Sequence, residues 1–294
     1  MKKILLIVCG LLMWASAIQA QIFYKVSGNG LEKPSYIFGT HHIAPLSVID
    51  SVAGARKALA DADRIVGEID MTMGQMQLAA ALQPFMMAPT DSTLRDLIAP
   101  ADYERISEKF KEYAPMPGLT LDALSMMRPM VAQSIVSLSS LSKDLPGYNP
   151  QEQLDGYFQT EGKKAGKEVI GLETPEMQGR LLYTFTPITR QAADLVEMLD
   201  HPEKITEQSK KLNASYLAQD LDALLKLTEV DDSHSEFVTA LLDRRNADWL
   251  TKLPAILSEG SCFVAVGALH LAGPKGIVEG LRSLGYTVEP MMKK

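Results

Sequence analysis

Cys262-Phe263-Val264-Ala265-Val266 is an unbroken apolar run that ends at Gly267. A run this short, rich in branched and aromatic side chains and without polar alternation, predicts a strand covered on both faces. Such a strand belongs inside a sheet with helices on either side, so this one feature points to an α/β chain. Residues 22–26 and 35–38 predict a hairpin about Gly28-Asn29-Gly30, where glycine supplies positive φ. After His42, the stripe Val52, Ala55, Leu59 and Ala62 predicts a helix with Ser47 or Asp50 as its cap, and residues 64–69 predict a strand. Strand, helix and strand in that order imply a right-handed crossover and a parallel pair.

Residues 71–150 turn helical, with Met71, Met73, Met76, Met86, Met87, Met126, Met127 and Met130 among proline breaks, and read as a large helical insertion. Methionines there are core filler or an adaptable substrate groove. A helix over 151–165 leads to a strand at 168–172, 175–257 is mostly helical, Pro274 opens a helix that Gly285 ends, and 286–289 form a last strand. The expected fold is α/β: a central mixed, mainly parallel sheet with flanking helices, in a single domain over 21–294.

Residues 1–20 read as a secretory signal peptide: Lys2 and Lys3, an apolar stretch over 4–14, then small residues to Ala17 or Ala20. Eleven apolar residues are too few to cross a hydrocarbon core of about 30 Å, so no integral membrane segment is expected after cleavage. Cys9 follows Val8 inside the apolar run, which argues against a lipoprotein. The expected location is periplasmic or extracellular. Cleavage would leave Cys262 alone and exclude an intramolecular disulfide. The net charge of −7 becomes two units more negative without Lys2 and Lys3, which excludes nucleic acid as an expected partner. Nothing in the sequence fixes the oligomeric state.

Two strands end alike: Tyr36-Ile37-Phe38 runs into Gly39-Thr40-His41-His42, and Phe263–Val266 into Gly267-Ala268-Leu269-His270. Ligands bind beyond the carboxyl ends of strands in open parallel sheets, and Gly39 and Gly267 let the backbone turn closely there. His42 and His270 are therefore expected to face one crevice. Glu68 ends a third strand, and a carboxylate there needs a partner or a cation. Two imidazoles and a carboxylate form a divalent-metal set, with His42, Glu68 and His270 as ligands, which points to metal-assisted hydrolysis. His41, offset by one residue, ranks below His42; His201 and His234 read as surface histidines. Glu173 is a second acid or base, or else a helix-cap carboxylate. Arg245, on a helix with Arg244, Asn246 and Trp249, is a candidate oxyanion holder or a surface ion-pair partner.

The segments 24–28, 35–42, 67–70, 171–178, 245–249, 266–270 and 285–288 together resemble the TraB/GumN family, which includes Tiki-type proteases and is distantly related to erythromycin-esterase-like and ChaN-like proteins. The family pattern of two Gly-x-x-His motifs, an acid and an arginine falls here on His42, His270, Glu68 and Arg245. The resemblance implies metal-dependent proteolysis of a peptide, with manganese or cobalt as the favoured metal and zinc as another. It supports Arg245 strongly and Glu173 more modestly as catalytic residues. Two other readings stay open: a metal-independent esterase-like hydrolase acting on a small molecule, and a binding module that holds a peptide or haem without turnover.

Overall fold

A computed structural model describes residues 21–143, 149, 152–228 and 232–291. The expected signal peptide lies outside the described residues, as do 144–148 and 150 of the expected insertion.

Six strands form one sheet: β1 (Phe23–Ser27), β2 (Ser35–Thr40), β3 (Arg64–Gly67), β4 (Glu168–Gly171), β5 (Cys262–Gly267) and β6 (Thr287–Pro290), in the order β4-β3-β5-β2-β1-β6. β4, β3, β5 and β2 are parallel, while β1 is antiparallel to both β2 and β6. This is the mixed, mainly parallel α/β sheet that the sequence predicts. β5 is fully buried from Cys262 to Val266, as a strand with helices on both faces must be. The β1–β2 turn is tight, with Gly28, Asn29 and Gly30 all at positive φ.

Three local expectations are corrected. β2 and β3 are parallel but not neighbours: β5 arrives from far along the chain and inserts between them. The predicted helix after His42 is two pieces, Val48–Ser51 and Ala55–Asp61, because Gly54 at φ 80° breaks it, and Ser47 makes no side-chain cap bond. The last helix begins at Ile277, not at Pro274.

Phe38, Phe158 and Phe263 form the centre of the main core, with ring centroids 5.0 Å apart for Phe38–Phe158 and 4.8 Å for Phe158–Phe263. Phe158 comes from the Leu154–Lys164 helix, whose Gly162 lets it settle directly on Ile65 of β3. Trp249, Leu253 and Leu257 from the Arg245–Ser258 helix and Ile277 and Leu281 from the Ile277–Ser283 helix join the same core. A second core holds Tyr103, Ile106, Phe110 and Val136 of the predicted insertion, but Ala192, Leu195 and Leu199 of the later Ile188–Asp200 helix complete it. The insertion therefore shares its interior with the second helical stretch. No helix among the described residues is long and apolar enough to cross a membrane. The Cys262 thiol is buried, and burial pushes its pKa up to about 11, well outside the range of a reactive thiolate.

Candidate active site

The four parallel strands share one direction, so the segments following them leave from one edge of the sheet. β2 leads to His41 and His42, β3 to Glu68, β4 to Glu173 and β5 to His270. Arg245 enters from the side: a π-helical turn over Ala240–Arg244 runs into the Arg245–Ser258 helix. The two motif glycines have distinct jobs. A Cβ on Gly39 would lie 2.9 Å from Ala268 Cα, so glycine there lets the β2 and β5 loops touch. A Cβ on Gly267 would come within 3.3 Å of Glu68 Oε1, an oxygen that accepts the Gly267 N–H at 2.9 Å.

Arg245 ties these segments together. Its Nη2 donates to Glu68 Oε2 at 2.6 Å, its Nε to Glu173 Oε1 at 2.7 Å, and its Nη1 lies 3.0 Å from His270 Nε2 and donates to the Leu241 carbonyl at 3.1 Å. Gln178 adds an N–H to Glu68 Oε2 at 2.9 Å, and Trp249 Nε1 donates to Glu173 Oε1 at 2.7 Å. Asn246 uses its amide N–H on backbone carbonyls, so its Oδ1 accepts from His270 Nδ1 at 2.7 Å. That fixes the tautomer: His270 carries its proton on Nδ1 and turns the Nε2 lone pair toward Arg245. Glu68 Oε1 is 3.8 Å from the same nitrogen.

His42, Glu68, His270 and Arg245 line one cavity of about 280 Å³, together with Thr40, His41 and Gln178. The His42 ring is 65% exposed and opens into it. Glu173, 8% exposed, is not among the lining residues. Its carboxylate accepts from Arg245 and Trp249 and so holds Arg245, and the N-cap of the following helix is Thr174. None of the methionines lines the cavity; Met86 and Met127 pack on the second core, and Met76 and Met126 are exposed. Core and surface account for these four.

A family model described as the TraB/PrgY/gumN family matches residues 22–290. The chain belongs to this family. Metalloprotease TIKI2 of Xenopus tropicalis is 25% identical over 349 aligned residues, which cover 95% of this chain and 65% of that protein's length. The chain thus spans less than two thirds of the curated relative it matches. No solved structure matches it.

In this TraB/PrgY/gumN chain the electrostatics separate the three histidines. Burial lowers His270 to about 4, with Arg245 and His42 working the same way, so it is neutral at pH 7. Burial also lowers His41 to about 4; its Nε2 is 2.9 Å from Asn213 Oδ1 and its ring lies 5.1 Å from that of Tyr216. His41 borders the same cavity as His42, with its ring held by Asn213 and Tyr216. His42 is raised to about 9, first by its hydrogen bond to Asp155 and then by that residue's charge. Burial works to raise Glu68, but His270, Arg245, the Gly267 N–H and His42 outweigh it and hold the group at about 2.

These values set an acid limit on stability. Unfolded His270 binds a proton below about 6.5 and the folded residue only below about 4, so its contribution is complete above 6.5 and lost as pH falls toward 4. The difference corresponds to about 3 kcal/mol. Glu68 acts in the same direction lower down, losing its contribution as pH falls from its ordinary 4.5 toward 2. His42 has the opposite sign above 6.5 but is open to the cavity. Thermal denaturation of chelator-treated protein should show Tm dropping steeply between pH 6.5 and 4, and a flat profile there would contradict it.

Asp155 is a site residue that the sequence reading missed. It sits on the Leu154–Lys164 helix, is 7% exposed, and its carboxylate accepts the Thr40 hydroxyl at 2.6 Å and faces His42 Nδ1 at 3.2 Å. The signal was present: the buried positions Leu154, Asp155, Phe158, Gln159 and Gly162 form one helix face, and an acid on that face requires a partner. Asp155→Asn keeps the shape and removes the charge, so NMR titration should show His42 falling from about 9 toward its ordinary 6.5. An unmoved titration would sink the assignment. His201 is exposed, 3.3 Å from Glu203, and Arg244 pairs with Glu236 at 3.0 Å on the surface; the His234 side chain lies outside the described residues.

Proposed function

We propose that this chain is a hydrolase of amide bonds, a peptidase, and that a divalent cation is part of its working site. The observation that carries the reading is the convergence of His42, Glu68, His270 and Arg245 on one cavity at the carboxyl ends of parallel strands. The relative's printed name, a metalloprotease, supports it. Export through the N-terminal leader is part of the same proposal.

The donor chemistry fits a cation. Each of His42 and His270 has its Nδ1 fixed by an acceptor, Asp155 or Asn246, which is how ligating imidazoles are held with Nε2 outward, and Glu68 adds a hard oxygen. The arrangement is not a closed ligand set: among the described residues no three His, Cys, Asp or Glu side chains converge as a ready-made metal cluster. The Arg245 guanidinium stands between Glu68 and His270 instead. His42, Glu68 and His270 would hold the ion, which when bound supplies Lewis acidity and makes water a stronger nucleophile at neutral pH.

The chain's own groups account for the remaining steps. Water adds to the acyl carbon, the C–N bond breaks, and the released amine takes a proton. Glu68, ionised and in the cavity wall, is placed to accept a proton from water and to pass it to that amine. Arg245, held by Glu173, steadies the anion that develops on the acyl oxygen.

One observation favours a second reading. The Asp155–His42 pair is an imidazole with its orienting carboxylate, an arrangement that, once His42 has given up its proton, is able to cleave esters without an ion. Metal analysis of the purified protein, with peptide and ester cleavage measured before and after chelation, separates the two. Loss of peptide cleavage on chelation and its return with Mn, Co or Zn supports the first reading; ester cleavage indifferent to chelator replaces it with the second. Binding of peptide or haem with no product would remove both.

A further inference from the structure

The cavity has a second half that the hydrolytic groups do not use. Leu182, Leu212, Leu224, Leu241, Leu242 and Leu269 line it, drawn from five separate segments. Leu182 and Leu241 are only half-buried and belong to neither of the two cores, so they do not serve the interior of the fold. Apolar surface gathered around a hole beside a polar centre is stabilised when an apolar group fills it, at about 25 cal/mol per Å² removed from water.

The charged groups at the polar end are already committed. Four of the five Arg245 N–H groups go to Glu68, Glu173, His270 and the Leu241 carbonyl, Glu68 accepts from Arg245, Gln178 and Gly267, and His42 is paired with Asp155. A charged substrate side chain buried among the leucines meets no charged partner from them, and such burial is costly. The volume, about 280 Å³, suits one side chain with its flanking amides and not a long folded segment.

We propose that this leucine-lined half is a specificity subsite, and that the substrates are peptides presenting an aliphatic side chain of leucine or methionine size beside the bond that is cut. The inference rests on the amide-hydrolase reading for its chemistry but not for its recognition.

The test uses the purified protein and a set of blocked peptides identical except at one position, which is Leu, Met, Gly, Lys or Asp. Binding is followed by ligand-observed NMR and cleavage by mass spectrometry. Leu and Met peptides should exceed Gly, Lys and Asp by about tenfold or more in binding or in kcat/KM. Leu182→Lys should lower the preference for Leu and raise that for Asp, and the double variant L182A/L241A should weaken the preference for Leu over Gly, with circular dichroism confirming that both remain folded. Equal treatment of all five peptides, preference for a charged one, no binding at all, or an unchanged preference in both folded variants would overturn the proposal. Selective retention of Leu peptides without products would remove the hydrolase reading and leave the subsite; unselective cleavage would do the reverse.

Discussion

Replacing Arg245 with leucine should destabilise the protein by about 3–5 kcal/mol, because it strands two carboxylates in the interior. Glu173 is 4% exposed in its side chain and Glu68 15%, and both point their oxygens at this guanidinium. Trp249 and Gln178 would each still donate one hydrogen bond, but neither carries charge. The loss is asymmetric: the intact ion cluster adds little over an apolar replacement, whereas a broken one leaves charge without water or partner. Adding Glu173→Gln to Arg245→Leu should therefore recover part of the loss. Urea unfolding of the two variants beside the parent measures it, and a cost below about 1 kcal/mol for the single variant would show that solvent reaches these carboxylates.

His42→Ala and His270→Ala should each reduce peptide hydrolysis by about a thousandfold or more, since each removes both a proposed ion ligand and a group at the reacting bond. The same two variants should lose bound metal, whereas His201→Ala, an exposed residue beside Glu203, should change neither activity nor metal content. His42 is the more informative of the pair because its ring is open to the cavity, so its removal disturbs packing little. His270 is 4% exposed and its loss also leaves the Asn246 oxygen without its donor. Near-normal metal content and activity in His42→Ala would remove this residue from the site.

Much of the sheet was legible because strands leave strong local marks. The apolar run at 262–266 and the hairpin glycines at 28–30 decide structure within a few residues. The meeting of His42, Glu68 and His270 could be anticipated, because parallel strands deliver their following residues to one edge. Neighbour order in the sheet could not, since nothing local in β2 or β3 says that β5 separates them. The break at Gly54 was hidden by an apolar stripe that is correct on both sides of it: Val52, Ala55, Leu59 and Ala62 are all buried. Asp155 was missed because helix periodicity was used to find apolar residues and not the acid among them. Arg245 as the link between Glu68, Glu173 and His270 depends on a π-helical turn, which no pattern in the sequence announces.

The position of β5 has a consequence for how the molecule comes into being. This strand is made after β1 to β4, yet it joins β2 and β3, which do not touch each other. A chain made only as far as residue 261 lacks the staple of its own sheet, and with it the loop that meets Gly39. Closure over so long a stretch of sequence is entropically expensive and slow. The candidate site therefore assembles only once β5 has been made, with no earlier form that carries all its parts.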